Sequence, residues 1–288
     1  MKRKCAVTGA SGYVGSRIVA YMQIHGWEVL ALTRSRGSRL QAGSASYSLE
    51  GGISSDSLQG IDALIHCAYD FQPVTQKDIW RINVEGTARL FDAARKAGVD
   101  RIVCVSTISA YAGCRSLYGK AKLAIEEQAR KVGGVIVRPG LVYGREAGGM
   151  LGSLNRKMAS TKVVPLIGNG SWMMYLTFDD DLCELIYRLC QKPGNQKHGL
   201  ITAASSHGKS FRALLSDLAL AHGKAPVFFP VPWRMVWFGL RLLETAGIRV
   251  NFRSDSVLGL VYPNPCPSFR ELHEFGMTFR NFNPGLLE

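Results

Sequence analysis

The sequence predicts an α/β chain built on a doubly wound parallel sheet, with a smaller, mainly helical lobe towards its C-terminal side. Three observations predict it. Strand-like apolar runs alternate with helix-period segments through the first two-thirds of the chain. A glycine-rich turn joins the first strand to the first helix. After Gly144 the alternation breaks, and seven of the eleven prolines lie beyond residue 205.

The elements follow in order. "KCAVTG" is a short apolar run ending in Gly, the pattern of a buried strand. Val14, Ile18, Val19 and Met22 then repeat at helical spacing, and Gly26 closes that helix. "EVLALT", "DALIHCA" (62–68) and "RIVCVS" (101–106) are the next strands. A helix with Val84, Leu90, Ala94 and Ala97 lies between the last two and ends at Gly98. A helix around Tyr118 precedes "GVIVRPG" (134–140). Residues 145–178 read as irregular, after which "DDLCELIYRLC" and "GLITAA" return to the sheet pattern. The expected organisation is a dinucleotide-binding core over 1–145, completed by about 181–204, with a substrate lobe from 146–180 and 205–288. Strands alternating with helices of this length make parallel β-α-β units, whose ligands bind outside the carboxyl ends of the strands.

Composition narrows the function classes. The chain has 288 residues, 47% of them hydrophobic, enough for one large core or two unequal lobes. No uncharged apolar run is long enough to span a bilayer, and the basic start leads into a strand rather than a signal core. The seven cysteines are scattered without a C-x-x-C pair, which reads as reduced thiols in a cytoplasmic protein with no metal site. The net charge of +13 is spread along the chain without a basic block or a nucleic-acid motif. An anionic cofactor or substrate accounts for it, and no nucleic-acid partner is expected.

The turn "TGASGYVG" spaces Gly9, Gly12 and Gly15 as G-x-x-G-x-x-G. A tight turn and a closely approaching pyrophosphate both require Gly, and helix N-terminal amides favour the phosphates. Ser11, Tyr13 and Val14 belong to the same cofactor-binding stretch. After the second strand, "ALTRSRGSR" supplies Arg34, Arg36 and Arg39 with no acid before Glu50. An acid there would bond a ribose hydroxyl, whereas Arg binds a 2′-phosphate, so NADP(H) is favoured over NAD(H).

Tyr118 and Lys122 stand four apart on one helix, so they are one turn apart on one face. A free phenol has a pKa near ~10 and is a poor base at neutral pH, and a neighbouring ammonium favours its ionised form. Leu117, Ala121, Ala124 and Ile125 form the buried stripe, leaving the Tyr–Lys pair at its edge.

Taken together, "TGASGYVG", "DALIHCA", "NVEGTARLFDAARKAGVDRIVCVST", "YGKAK" and "VRPGLVYG" resemble, in order, the extended short-chain dehydrogenases/reductases. Within them the chain looks like the NAD-dependent epimerase/dehydratase family, closely over about 4–144 and loosely over 165–182. The resemblance implies a Rossmann core and a Tyr118 acid/base. It gives Lys122 two tasks, tuning Tyr118 and bonding the nicotinamide ribose. It implies a catalytic hydroxyl at Thr107, with Ser106 the runner-up and Ser109 further behind. By the same resemblance Asn83 helps position the cofactor, and Cys67 and Ala68 lie where a loop passes it. Pro139 lies where the backbone meets the nicotinamide, although a plain loop proline reads equally well. His66 reads as a packed strand residue.

Two departures bear on the substrate. Only residues 107–117 separate Thr107 from Tyr118, where many sugar-nucleotide relatives have a longer loop. In "GNGSWMMYLTFDDD" Met173 and Met174 stand where epimerase relatives have an Arg and an Asp, although Asp180 is kept. A thioether cannot grip a diphosphate as a guanidinium does, leaving Arg145 or Arg156 to do so. The expected activity is interconversion of a secondary alcohol and a ketone, on a nucleotide-linked sugar or on a hydrophobic carbonyl compound of steroid, polyketide or flavonol character. A non-catalytic NADP-binding sensor or scaffold is the third reading. Within 226–243, Trp233, Val236, Trp237, Leu240 and Leu243 follow helical spacing. Packing of the small lobe or a homodimer contact is the preferred reading of that helix, ahead of a hydrophobic substrate or a peripheral membrane surface.

Overall fold

The computed structural model describes residues 2–34, 43–145, 148–191, 199–248, 250 and 252–287. β1 (Lys4–Thr8) leads through the glycine turn into α1 (Tyr13–Ile24), followed by β2 (Glu28–Thr33), β3 (Gly43–Ser46) and β4 (Ala63–His66). α2 (Gln76–Ile79), a π-helical turn over Trp80–Glu85 and α3 (Gly86–Lys96) form one continuous helical run. β5 (Arg101–Val105), α4 (Leu117–Lys131) and β6 (Val135–Pro139) come next.

Beyond them lie β7 (Leu141–Tyr143), α5 (Gly149–Ser160), β8 (Val163–Ile167), β9 (Met173–Met174) and β10 (Leu176–Phe178). α6 (Asp179–Gln191) and β11 (Leu200–Ala203) return to the sheet. β12 (Lys209–Ser210), α7 (Phe211–Ala221), β13 (Val227–Val231), α8 (Trp233–Thr245), α9 (Ser254–Val261) and α10 (Arg270–Glu274) follow.

The main sheet has the order β11-β6-β5-β4-β1-β2-β3, and every pairing in it is parallel. Its central strands are buried on both faces, which is why they read as unbroken apolar runs. One face packs Ile18, Val19 and Met22 of α1 against Leu182, Leu185 and Ile186 of α6. The other packs Leu90, Phe91 and Ala94 of α3 with Ala121, Ile125 and Ala129 of α4. Each fully buried aliphatic side chain contributes about 1.5–3 kcal/mol by leaving water.

Three features differ from the sequence reading. β3, "GSAS", is an edge strand and mostly exposed, so it carries no apolar pattern that would reveal it. Residues 145–178 are more regular than expected, holding α5 and three short strands. α8 forms where helical spacing placed it and packs on α9, yet none of its residues is buried. The small-lobe core is made instead by Tyr143, Leu151, Met158, Leu166, Phe211, Leu214 and Leu218. The chain then returns to the main sheet, where Leu272, Phe275, Met277 and Phe279 join the cluster under α1 and α6.

Candidate active site

Parallel pairing gathers the carboxyl ends of β1, β2, β4, β5 and β6 along one edge. Thr8 stands opposite His66 in register, and both strands end beside the glycine turn. Gly9 has φ +66, in the left-handed region that Gly enters without a Cβ penalty. A Cβ on Gly15 would stand 2.2 Å from the Gly9 carbonyl oxygen, so only Gly lets the helix start this close to the turn. Gly12 caps α1 without any side-chain hydrogen bond, and the first turn of that helix has no acidic residue. The positive end of the helix is thus left to an anion, and the turn fits a pyrophosphate.

Tyr13 does not reach into this cradle. Its hydroxyl donates to Asp179 Oδ2 at 2.8 Å, tying the turn to α6. Arg17 completes the knot, with Nε 2.9 Å from Asp179 and Nη2 2.6 Å from Asp180. Burial pushes the Asp179 carboxyl up, against the lowering influence of Tyr13 and Arg17. Asp180, kept from the epimerase-like pattern, is therefore an ion-pair partner of the first helix. Ser11 is exposed, Val14 packs against the core, and Arg34 is exposed just past β2. Arg36 and Arg39 lie outside the described residues.

A chain of hydrogen bonds holds the loop after β4. Thr8 Oγ1 accepts from the Cys67 and Ala68 amides at 3.0 and 3.1 Å and lies 2.9 Å from His66 Nδ1. His66 Nε2 lies 3.0 Å from Thr87 Oγ1, and that hydroxyl donates to the Asn83 carbonyl at 2.7 Å. With its proton so committed, Thr87 accepts from His66, which places the imidazole proton on Nε2 and leaves Nδ1 to accept from Thr8. Burial, helped by Lys122, pushes the His66 pKa down to about 3, so the ring is neutral and structural. Asn83, fully buried in the π turn, grips both polar groups of the Asp70 backbone at 2.7 and 3.0 Å. It positions the loop that carries Cys67 and Ala68.

Ser106 and Thr107 follow β5, and their side chains part ways. Ser106 Oγ donates to Glu126 Oε1 at 2.6 Å inside the core. Thr107 lines a cavity of about 660 Å³ together with Tyr118 and Ser109. Thr107→Val is expected to lower turnover by roughly 10²-fold or more, as for loss of a transition-state hydrogen bond. Ser106→Ala should cost stability and leave turnover nearly unchanged. Steady-state kinetics beside thermal melts separate the two, and the reverse pattern would move the catalytic hydroxyl by one residue.

Tyr118 stands in the first turn of α4, whose start is held from the small lobe. Asp255 of α9 accepts from the Leu117 and Tyr118 amides at 2.6 and 3.1 Å. Burial pushes the Tyr118 phenol up to about 12, and hydrogen bonding with Thr107 pulls the other way. Lys122 is more deeply buried than a helix-edge residue. Its Nζ donates to the Val105 carbonyl at 3.0 Å and lies 5.2 Å over the Tyr69 ring. Tyr69 in turn meets Tyr118 edge-on, with ring centroids 5.0 Å apart, and Phe71 stacks on Tyr118 at 5.6 Å. Burial lowers the Lys122 pKa, opposed by Cys104, Cys67 and Glu126. Tyr69, Phe71 and Asp255 were missed by sequence reasoning. Nothing in the sequence linked Asp255 to Tyr118, 137 residues earlier.

Phe71, Val74, Ile108, Leu141, Met173 and Trp237 give the cavity a mainly apolar wall. Its arginines are engaged. Arg253 donates to the Phe71 and Pro73 carbonyls and, with Arg241, pairs with Glu244. Arg115 stacks 3.9 Å over Tyr262. Arg145 and Arg156 do not line the cavity, and Arg156 donates to Ser153 on the exposed side of α5. Pro139 is buried at the end of β6, where its carbonyl accepts from the Ile108 amide at 2.8 Å.

A model of the NAD dependent epimerase/dehydratase family matches residues 5–203. The chain belongs to that family. It is of the extended short-chain type. Ceramide reductase of Caulobacter vibrioides is 28% identical over 65% of this chain and 61% of its own length. A 4-hydroxy-2-methyl-3-oxo-4-farnesyl-3,4-dihydroquinoline-1-oxide ketoreductase of Stigmatella aurantiaca is 27% identical over 73% of this chain and 72% of its own. UDP-glucose 4-epimerase of Azospirillum brasilense is 28% identical over 51% of each chain. The chain thus spans less than two thirds of the length of two of these three curated relatives. The solved structure of MoeE5 with UDP-glucuronic acid and NAD superposes with a TM-score of 0.70 at 23% identity, covering 80% of this chain and 85% of that one. UDP-N-acetylglucosamine 4-epimerase from Bacillus cereus gives 0.67 at 22% identity, covering 80% and 85%. At such identities the likeness establishes the fold of this epimerase/dehydratase family member, a seven-stranded Rossmann sheet.

Proposed function

We propose that this family member is an NADP(H)-dependent reductase or dehydrogenase that interconverts a ketone and a secondary alcohol on a large apolar molecule. The observation that carries the proposal is the cavity: Tyr118 and Thr107 face an apolar space whose arginines are already paired or stacked. A nucleotide diphosphate would have to break those contacts, and Met173 supplies no replacement. The size suits a ligand of several rings or a long chain, since ligand pockets commonly run from ~300 to ~1,000 Å³. Two of the curated relatives carry names of reductases acting on a ceramide and a farnesyl quinoline, which supports the same reading.

When bound, the cofactor supplies or accepts a hydride at the carbinol carbon. The residues manage the oxygen. Thr107 donates a hydrogen bond that orients it and stabilises developing negative charge. Tyr118 delivers the proton in reduction and removes it in oxidation. Lys122, held on Val105, keeps a buried cationic group behind Tyr69 and within reach of a cofactor ribose. The α1 turn binds the pyrophosphate, and Arg34 meets the 2′-phosphate.

The test is a cofactor-consumption assay with NADPH against hydrophobic cyclic and long-chain ketones, set beside UDP-sugars. Net NADPH oxidation with the ketones is the expected result. Epimerisation of a UDP-sugar without net oxidation, with the ketones inert, would replace this reading by the nucleotide-sugar one. Calorimetry should show tighter binding of NADP(H) than NAD(H), with the preference reduced in Arg34→Ala. Equal affinities would remove the 2′-phosphate argument.

A further inference from the structure

Thirteen residues form α8, and none of them is buried. Met235, Phe238 and Leu242 follow the i, i+3, i+7 spacing of one helix face and are 68%, 58% and 54% exposed. Phe229, on the strand leading into the helix, is 62% exposed. Apolar side chains of this size in one stripe mark an interaction surface. The stripe has a cationic flank, because Arg234 and Arg241 lie two turns apart on the adjoining face and both are exposed. Between residues 222 and 253 the chain carries five Lys or Arg (224, 234, 241, 249 and 253) against a single acid, Glu244. That acid is turned inward: it accepts from the Ser254 amide and hydroxyl at 2.8 and 2.6 Å and lies 3.8 Å from Arg253 and 3.7 Å from Arg241, whose side chain still stays 55% exposed. The neighbouring face of α8 contributes Trp237 and Arg241 to the wall of the cavity that holds Tyr118.

We propose that α8 is an interfacial helix that docks the enzyme on an anionic lipid bilayer, with the mouth of the cavity at the membrane. The apolar stripe enters the acyl boundary and the arginines meet lipid phosphates, the division of labour that holds amphipathic helices in an interface. No described helix is long and apolar enough to cross a membrane, so this is binding at the surface. A second copy is a poorer occupant. A two-fold contact would set each patch against itself and bring like arginines together with no exposed acid between them. Docking stands without the substrate assignment; the entry of a bilayer-dissolved substrate beside Trp237 rests on the proposed function.

The experiment is co-sedimentation of the full chain with vesicles of phosphatidylcholine alone and of phosphatidylcholine mixed with phosphatidylglycerol, at low and high salt and without substrate. Binding to the mixed vesicles that weakens with salt is expected. The double variant Phe238→Ser/Leu242→Ser should lose at least about tenfold of it, and Arg234→Gln should reduce it and its salt dependence. All three positions are exposed, and thermal melts with cofactor titrations confirm that the variants fold. Failure of the wild-type chain to bind either vesicle overturns the proposal. So does a dimer in sedimentation velocity that the double variant dissolves, since a second copy would then occupy the stripe. Failure of the substrate reading shows separately, as vesicle binding without turnover of apolar ketones.

Discussion

Tyr118→Phe should lower turnover by about 10²–10⁴-fold while cofactor affinity stays essentially unchanged, because only the proton-transfer group is lost. The ring keeps its place, since Phe retains the contacts with Tyr69 and Phe71 and the backbone amide stays on Asp255. The pH dependence carries a sign. Burial raises the phenol to about 12, so in the cofactor-free protein it is protonated throughout the neutral range. On the proposed mechanism, ketone reduction uses the protonated phenol and should be flat across neutral pH, falling only in strongly alkaline solution. Alcohol oxidation uses the phenolate and should rise with pH over the same range. Lys122→Met removes a buried cation and its bond to Val105. It should weaken cofactor binding and, combined with Tyr118→Phe, cost far less than the sum of the separate losses. The measurements are pH–rate profiles in both directions with cofactor affinities beside them. Near-normal turnover in Tyr118→Phe would reduce the phenol to a wall residue and remove it from the proposed proton transfer.

The second large effect is on stability. Glu126 lies on the buried side of α4, with its side chain fully inaccessible. Arg138 of β6 grips it with two parallel bonds, Nε to Oε1 at 2.7 Å and Nη2 to Oε2 at 2.6 Å. Ser106 adds a third bond, and Arg130 approaches from the helix itself. Removing the carboxylate leaves the Arg138 guanidinium, only 14% exposed, without its counter-charge. Glu126→Ala is therefore expected to destabilise the fold by about 3–5 kcal/mol, a fall of roughly 10 °C in Tm. The exposed Arg130 bond contributes little of this, because water screens it. Glu126→Ala/Arg138→Met should recover much of the loss, since removing both charges avoids the uncompensated one. A single variant that melts like the wild type would mean that water reaches the pair.

What the sequence by itself determined is the part of the molecule governed by local chemistry. Buried central strands must be continuously apolar, so six of the seven sheet strands are legible as runs. The glycine turn is legible because Gly15 has no room for a Cβ and Gly9 needs a left-handed backbone, both properties of single positions. Tyr118 and Lys122 share a helix face by spacing alone, and the order of motifs was enough to suggest the family. Tertiary structure decided whatever depends on residues distant in the chain. The edge strand β3 is held by pairing with β2, and its own residues are mostly exposed. Adjacent hydroxyls point opposite ways because Glu126 captures Ser106 and leaves Thr107 to the cavity. Lys122 meets Tyr118 through Tyr69, since its ammonium is drawn to the Val105 carbonyl in the sheet beneath it. Asp255 caps α4 from the far end of the chain, and Glu244 holds Arg253 beside the cavity. Helical spacing located α8, but whether its apolar stripe was core or surface depended on what packs against it. Hydrogen bonds and charges act between groups close in space, and here that closeness comes from the fold.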